Sequence, residues 1–280
     1  MPDKNTITPV NLDNIPPMPR VAAEIMNQLN APNSSADRLA DIIASDPAVA
    51  VRVLRIANSS FYSLSRQVTN LSMAIVVLGE RTLKNLVLAA SLRGINREFG
   101  PKEKMLWEDS MVCALASRFL ARALAVGDPE DAFVAGLFRH IGLIVMNNQS
   151  ERNFDPVFDL LRKGKDSSAV ERAEFGATHA DIGAAVLEHW NLSESLCFVA
   201  AHHENPQPDP TIDTVHLNMT AVVNIADCIP GAFGIFGPPW QTDFSSLPGA
   251  QQMTLDREQL TNLIDEFRAI FKQNQQQFLA

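Results

Sequence analysis

Six histidines are the side chains of this chain best suited to chemistry, and four of them occupy helical positions beside small residues. Small neighbours allow helices to approach closely around a polar pocket, as in the segments from His179 to Gly183 and from Ala200 to His203. Imidazoles together with a carboxylate such as Asp227 suit a transition metal. From the residues alone, however, hydrogen-bonded structural roles for these histidines are favoured over metal binding. The six are His140, His179, His189, His202, His203 and His216.

Asp46 and Pro47 predict the start of a helix in the first third of the chain. Aspartate accepts hydrogen bonds from the free amides of a first helical turn, and proline fits within that turn. Asn58 and Ser59 follow the apolar segment that this helix would form. The pair can satisfy the helix's free carbonyl groups or contribute to a recognition surface between the lobes, and both alternatives stay open. Asp46, Asn58 and Ser59 are therefore a possible interaction surface, with capping as the favoured role of Asp46.

The hydrophobic pattern predicts an all-α protein. Apolar residues recur at helical spacing, for example Val21, Ile25 and Leu29, whereas alternating strand patterns are scarce. One helix is predicted from Ala132 to Val145. Further helices are predicted over residues 155–163, 166–174, 178–189, 193–203 and 214–228.

The chain is predicted to form two packed helical lobes with a C-terminal helix. The predicted parts are an N-terminal extension (1–14), an N-terminal lobe (15–100), a second lobe (101–229), and an apolar loop with the final helix packed on the domain (230–280). Gly100 and Pro101 mark the lobe boundary. The loop from Pro230 to Ala250 carries several aromatic residues, so we expect it to pack on the core rather than serve as a binding lid. Asp256 and Gln259 predict a capping box for the last helix.

Composition limits the classes of protein that this chain can belong to. With 280 residues and 46% hydrophobic residues, it can bury a substantial core as one large domain or two lobes. No apolar run approaches the roughly 18 residues that cross a bilayer, and the start lacks the pattern of a signal peptide. We expect a cytoplasmic protein without a membrane partner. The three cysteines are widely spaced and are expected to be buried thiols.

The charge of the chain makes nucleic acid an unlikely class of partner. The formal net charge is −9, whereas neutralising phosphates requires a concentrated basic surface. A local group that includes Arg81, Lys84 and Arg93 could form a small cationic face, although a solvated helix face is favoured. The helices predicted from Asn70 to Leu92, with a turn at Gly79, superficially resemble a helix-turn-helix. Their many apolar residues favour core packing instead.

Several motifs together resemble the HDOD family of bacterial signalling domains, relatives of the HD superfamily of metal-dependent phosphohydrolases. The similarity covers roughly residues 15 to 228, and its specificity lies in the combination of motifs. These motifs are Ile15-Pro16-Pro17-Met18-Pro19, the segment from Leu39 to Pro47, Leu54-Arg55-Ile56-Ala57-Asn58-Ser59, the segment from Ala74 to Gly79, Glu174-Phe175-Gly176-Ala177-Thr178-His179, and His202-His203.

The resemblance implies a pocket in which two metal-ligand positions are changed. Catalytic HD relatives have a first histidine before the serine of a helix that carries a tryptophan, and this chain has Asp109 there. The His-Asp pair that names the superfamily is replaced by Arg139-His140. The resemblance places the remaining polar positions at His179, at His202 or His203, and at Asp227.

Arginine at position 139 has a severe consequence for metal binding. A guanidinium stays protonated near neutral pH and has no lone pair to offer a cation. We therefore expect Arg139 to replace the metal electrostatically, paired with Asp109 or Asp227. No cofactor is expected, although a divalent metal held by His179, His202, His203 and Asp227 is left open.

These residues favour a non-catalytic function. The main hypothesis is a signal-transduction module of the HDOD type that acts through a protein partner or binds a small ligand in the degenerate pocket. The alternative is a metal-dependent phosphohydrolase or phosphodiesterase of the HD superfamily. Neither a nucleophile-elbow motif nor a Walker-type phosphate loop occurs in the sequence.

Overall fold

The structure is a computed structural model that describes residues 15–29, 35–62, 67–149, 152–206, 213–236, 239 and 242–279. These residues form α-helices with short 3-10 segments and no strand, so the predicted all-α class is confirmed. The helices are α1 (Arg20–Leu29), α2 (Ala36–Ala44), α3 (Pro47–Ala57), α4 (Leu71–Leu78), α5 (Glu80–Ser91), α6 (Pro101–Ala123), α7 (Pro129–Phe138), α8 (Ile141–Asn147), α9 (Asp155–Leu161), α10 (Ser168–Phe175), α11 (His179–His189), α12 (Glu194–His202), α13 (Thr214–Asp227), α14 (Ile229–Ala232), α15 (Pro248–Gln252) and α16 (Arg257–Leu279).

Among the N-terminal helices, α1, α3 and α4 pack against α5, which is buried along most of its length, and α2 packs on α1, α3 and α4. Polar caps begin three of these helices, because each cap side chain accepts hydrogen bonds from amides that have no partner within the helix. The caps are Ser35 for α2, Asp46 for α3 and Asn70 for α4. Short helices of this kind depend on tertiary packing for most of their stability.

The helix-turn-helix alternative does not fit the packing of α4 and α5. Gly79 joins them at a φ of 83°, but α5 is buried against α1, α3, α4 and α7. Arg81, at the start of α5, contacts Asp128 and Asp131 at 2.6 and 2.9 Å. A recognition helix must present its side chains to a groove, and this helix presents most of them to the core.

The second group of helices packs around α6, a 23-residue helix whose middle is almost fully buried. The structure corrects the single helix predicted from Ala132 to Val145. It ends α7 at Phe138 and starts α8 at Ile141, with a break at Arg139 and His140. The change of direction allows both side chains to reach the interior.

Gly142 allows α8 to pack directly on α11. A Cβ atom at this position would lie 2.0 Å from the backbone oxygen of His179, which no side chain can tolerate. The close approach of the two backbones brings the start of α11 beside the break between α7 and α8. The helices α7, α8 and α11 therefore meet at the candidate site.

The segment after α13 packs on the domain, as its aromatic residues led us to expect. Phe233 stacks on Phe267 of α16 with ring centroids 5.9 Å apart, and Phe236 is buried. Trp240, one of the aromatic residues of this loop, lies outside the described residues. The predicted capping box of α16 is present. The backbone amide of Gln259 donates to Asp256 Oδ1, and the backbone amide of Asp256 donates to Gln259 Oε1.

Two further expectations concern membrane spans and thiols. Among the described helices, none combines the length and the apolar character that a membrane crossing requires. Cys113 is buried as expected, whereas Cys197 and Cys228 are only partly buried. Cys228 directly follows the last residue of α13, and Cys197 lies within α12, which has few buried residues.

Candidate functional site

Arg139 is the central residue of a polar cluster within the second group of helices. Its side chain is fully buried, and its Nη2 donates to both carboxylate oxygens of Asp109 at 2.9 and 2.8 Å. Its Nε donates to Asp227 Oδ1 at 2.5 Å, and its Nη1 donates to the Gly136 carbonyl at 3.2 Å. The guanidinium is thus paired with both Asp109 and Asp227, which the sequence offered as alternative partners.

The charges of this cluster support one another. Burial disfavours the charged form of Arg139, but Asp109 and Asp227 outweigh burial and raise the pKa of Arg139 above its ordinary value. Burial likewise opposes ionisation of Asp227, yet the charge of Arg139 holds the pKa of that carboxyl well below its ordinary value. Arg139 is therefore a permanent cation within the cluster.

His140 joins the same two carboxylates from the other side. Its Nδ1 donates to Asp109 Oδ2 at 2.9 Å, and its Nε2 lies 3.3 Å from Asp227 Oδ1. Arg139 and His140 are adjacent in the chain, and the break between α7 and α8 directs both toward Asp109 and Asp227. Arg139 and His140 therefore both contact the carboxylates of the pocket.

His179 is oriented by Glu171, a residue that the sequence analysis did not identify. Glu171 is fully buried at the surface of α10 that faces α11. Its carboxylate accepts hydrogen bonds from the backbone amide of His179 at 2.7 Å, from His179 Nδ1 at 2.9 Å and from the Ser167 hydroxyl at 2.6 Å. The Nε2 atom of His179 is thereby directed away from Glu171 and into the cluster.

The protonation of His179 and Glu171 is coupled. Burial opposes ionisation of Glu171, but its hydrogen bond and charge interaction with His179 lower the pKa of Glu171 to about 2. Burial also disfavours the charged form of His179, yet the contacts with Glu171 raise the pKa of His179 above its ordinary value. The pair is therefore a buried ion pair at mildly acidic pH.

His203 completes a group of three imidazoles. Its Nδ1 donates to the Ala200 carbonyl at 2.9 Å, and its Nε2 lies 3.4 Å from His179 Nε2. The ring centroid of His140 lies 5.0 Å from that of His179 and 5.2 Å from that of His203. Burial lowers the pKa of His203 well below its ordinary value, so this imidazole is neutral at neutral pH.

The three imidazoles could form a metal site. Each offers one ring nitrogen, and these atoms lie within 4.8 Å of one another. Each Nδ1 is engaged by a fixed acceptor, namely Asp109, Glu171 or the Ala200 carbonyl, as is usual where histidines bind a metal through Nε2. Two features oppose binding, because the charge of Arg139 is close and Asp227 already accepts from Arg139.

His202 does not join this group. Its ring packs on Phe198 with centroids 4.4 Å apart, and the residue is exposed. Successive side chains on a helix point about 100° apart, so His202 and His203 cannot both face the cluster at the end of α12. Of the pocket residues expected from the sequence, the structure brings together Asp109, Arg139, His140, His179, His203 and Asp227.

The possible interaction surface is divided by the structure. Asp46 caps α3 by accepting from the amides of Ala48 and Val49 at 3.0 and 3.1 Å. Asn58 joins the end of α3 to Val68, since its amide group donates to the Val68 carbonyl and its oxygen accepts from the Val68 amide. Ser59 is only 1% exposed, so its side chain cannot contribute to a surface.

The helical fold and the histidine-lined pocket define an HD-like helical domain. The chain belongs to the HDOD domain family, whose sequence profile matches residues 15–206. Its fold is similar to that of an HDOD domain protein of unknown function from Geobacter sulfurreducens, with a TM-score of 0.73, 21% identity, and 92% and 93% of the two chains covered. A candidate phosphohydrolase from Shewanella amazonensis is also similar, with a TM-score of 0.72, 22% identity and 96% of each chain covered.

Two further proteins are similar over different lengths. A candidate signal transduction protein from Marinobacter aquaeolei is similar with a TM-score of 0.67 and 23% identity. The match includes 94% of this chain and 58% of the Marinobacter protein. An uncharacterised protein from Treponema pallidum is 27% identical over 231 residues. That match includes 75% of this chain but only 42% of the Treponema protein, so this chain corresponds to less than half of that relative.

Proposed function

We propose that this chain is a non-catalytic regulatory module whose HD-type pocket is held together by charged side chains, and which acts through a protein partner or a small ligand. The observation that carries the proposal is the fully buried guanidinium of Arg139, paired with both Asp109 and Asp227. A hydrolytic metal site needs electron-pair donors and an open position for water. Arg139 supplies neither, and it engages the two carboxylates that could have supported a metal.

The charges of the pocket give the physical reason for this proposal. A divalent cation at the same place would meet an arginine that cannot lose its proton. It would also have to displace the guanidinium from two carboxylates, and breaking a buried ion pair costs about 3 to 5 kcal/mol. The rigid, satisfied cluster instead suits a structural centre that positions the surrounding helices.

The test is metal content together with hydrolysis, measured on the purified full chain. We expect less than stoichiometric iron, manganese or zinc by mass spectrometry, and no hydrolysis of bis(p-nitrophenyl) phosphate with any of these metals added. A matched variant, Arg139→His with His140→Asp, restores the His-Asp pair and should bind metal more tightly than the unchanged chain. One metal per chain with hydrolysis that is lost in His179→Ala would overturn the proposal.

A metal-dependent phosphohydrolase is the second candidate, and the three converging imidazoles favour it. His140, His179 and His203 could hold a metal, which would supply an activated water when bound. The variants His203→Ala and His202→Ala separate the two candidates. If the chain is a phosphohydrolase, His203→Ala loses metal binding and hydrolysis and His202→Ala keeps both, because His202 lies outside the cluster. If the chain is a non-catalytic module, the unchanged chain has neither stoichiometric metal nor hydrolysis, so neither variant shows a loss.

A further inference from the structure

A cavity lies in the N-terminal part of the domain, apart from the histidine cluster. It has a volume of about 310 Å³ and is bounded by the start of α1, the start of α3 and the end of α5. The side chains that matter for its chemistry are Arg20, Asp46, Arg52, Ser91, Arg93 and Phe99. Its size is at the lower end of the range for small-molecule pockets.

Two of the cavity's arginines have no carboxylate partner among the described residues. Arg52 donates from Nη1 to the Ala90 carbonyl at 2.8 Å, which fixes its side chain against the end of α5. The guanidinium of Arg93 lies over the ring of Phe99 at 4.0 Å and over the ring of Trp107 at 5.1 Å. Both side chains are held in place, and both are partly removed from solvent.

The other charges around the cavity are already engaged. Arg20 pairs with Glu24 at 2.8 Å and donates to the Ser45 hydroxyl at 3.0 Å. Asp46 uses its carboxylate to cap α3, and its negative charge partly balances Arg52. Burial, and then the neighbouring charge of Arg52, lower the pKa of Arg93, although Glu108 acts in the opposite direction. The positive charge of Arg52 and Arg93 is therefore incompletely balanced within the chain.

Ser91 adds an unused hydroxyl at the same cavity. The residue is 4% exposed, and its Oγ has no hydrogen-bond partner among the described residues. A buried hydroxyl without a partner is unfavourable, and Ser91, unlike the equally unpaired Ser59, lines this cavity, which a ligand can enter. A ligand oxygen in the cavity could accept this hydrogen bond.

We propose that the cavity binds a small molecule through a phosphate or carboxylate group, which Arg52 and Arg93 hold as ion pairs and to which the Ser91 hydroxyl donates. Planar guanidinium groups match the oxygens of both anions. The ring of Phe99 lies against the guanidinium of Arg93 and helps to hold it in place. This site does not depend on the histidine cluster, so the proposal goes beyond the proposed function and can fail separately from it.

The test uses the full chain with pyrophosphate and citrate as separate probes, measured by calorimetry and by amide chemical shifts of Ala90, Ser91 and Gly94. We expect saturable binding of at least one probe. Arg52→Gln and Arg93→Gln should each weaken it at least tenfold, because a hydrogen bond to a charged group contributes about 1.5 to 3 kcal/mol. The matched control is Arg55→Gln, which removes one charge from the same helix outside the cavity and should change affinity less than about twofold.

The outcomes separate the anion classes and decide the proposal. Tighter binding of pyrophosphate assigns a phosphate ligand, and tighter binding of citrate assigns a carboxylate ligand. If Arg52→Gln loosens the fold in a thermal melt, Ser91→Ala and Arg93→Lys supply the comparison, since both keep the charge of Arg52 and its contact with Ala90. No binding of either probe at about 10 mM, which excludes a dissociation constant in the millimolar range or tighter, or equal losses in Arg55→Gln and Arg93→Gln, would overturn the proposal.

Discussion

Asp109 and Arg139 form a buried ion pair in which one guanidinium nitrogen contacts both carboxylate oxygens, at 2.9 and 2.8 Å. Asp109 lies in the middle of α6 and Arg139 at the break after α7, so the pair joins two helices that pack extensively on each other. Asp227, at the end of α13, extends the connection to a third helix. The pocket thus holds three helices together through charge.

Replacing Arg139 should destabilise the protein strongly. In Arg139→Met the carboxylates of Asp109 and Asp227 lose their buried partner, and breaking such a pair costs about 3 to 5 kcal/mol. Urea unfolding at neutral pH measures the change. Arg81→Ala is the control, because it removes ion pairs with Asp128 and Asp131 that are largely exposed and should cost no more than about 1 kcal/mol. Equal losses in the two variants would contradict a structural role for the buried cluster.

Glu171→Gln should change the pH dependence of stability. The pKa of Glu171 is lowered to about 2 from an ordinary value of 4.5, so its contribution is complete above 4.5 and is lost as pH falls toward 2. The pKa of His179 is raised above 6.5, so its contribution is complete below 6.5 and is lost as pH rises through its value in the folded protein. The stability difference between the original chain and the variant should therefore be largest between pH 4.5 and 6.5.

The measurement is a series of urea unfolding curves from about pH 3 to about pH 8. The lowest pH lies about one unit above the pKa of Glu171 in the folded protein. Glu174→Gln serves as the control, because Glu174 lies on the same helix but is partly exposed, and its carboxylate accepts no hydrogen bond from His179 among the described contacts. A constant difference between Glu171→Gln and the original chain across the series would show that the buried pair does not titrate as described.

Gly142→Ala should disturb the contact between α8 and α11. The added Cβ would lie 2.0 Å from the His179 carbonyl oxygen, and a backbone atom cannot move aside as a flexible side chain can. Overpacking of this kind costs about 1 to 3 kcal/mol. Gly94→Ala is the matched control, since a Cβ there has no atom within 4 Å. Thermal melts of both variants test the difference, and an unchanged melt of Gly142→Ala would contradict the close approach.

The sequence predicted the pairing partners of Arg139 because a buried guanidinium requires carboxylates, and Asp109 and Asp227 were the candidates that the resemblance aligned with it. The break between α7 and α8 was not predictable from the apolar pattern, because Ile141, Leu143 and Ile144 continue the hydrophobic run of α7. A break at Arg139 depends on packing against α11 rather than on local propensity.

Two details of the pocket depend on tertiary structure in the same way. The choice of His203 over His202 is fixed by the rotation of α12, and adjacent histidines give no signal of which one faces inward. Glu171 lies in a charged segment typical of a solvated helix, and only its pairing with His179 buries it. Glu171 accepts a hydrogen bond from the hydroxyl of Ser167, four residues earlier in the chain. This spacing is a weak local signal in the sequence for a hydrogen-bonded role of Glu171.

Asn58→Ala and Ser59→Ala should differ sharply although the residues are adjacent. Asn58 donates to the carbonyls of Leu54 and Val68 and accepts from the Val68 amide, with distances between 2.7 and 2.8 Å. Its removal leaves the amide and the carbonyl of Val68 unpaired, whereas the Leu54 carbonyl keeps the backbone amide of residue 58, and should cost about 1 to 3 kcal/mol. The Ser59 hydroxyl is buried without a partner among the described residues, so its removal should cost nothing or stabilise slightly. Urea unfolding of the two variants checks this order, and a Ser59→Ala loss as large as that of Asn58→Ala would mean that the hydroxyl has a partner in solution.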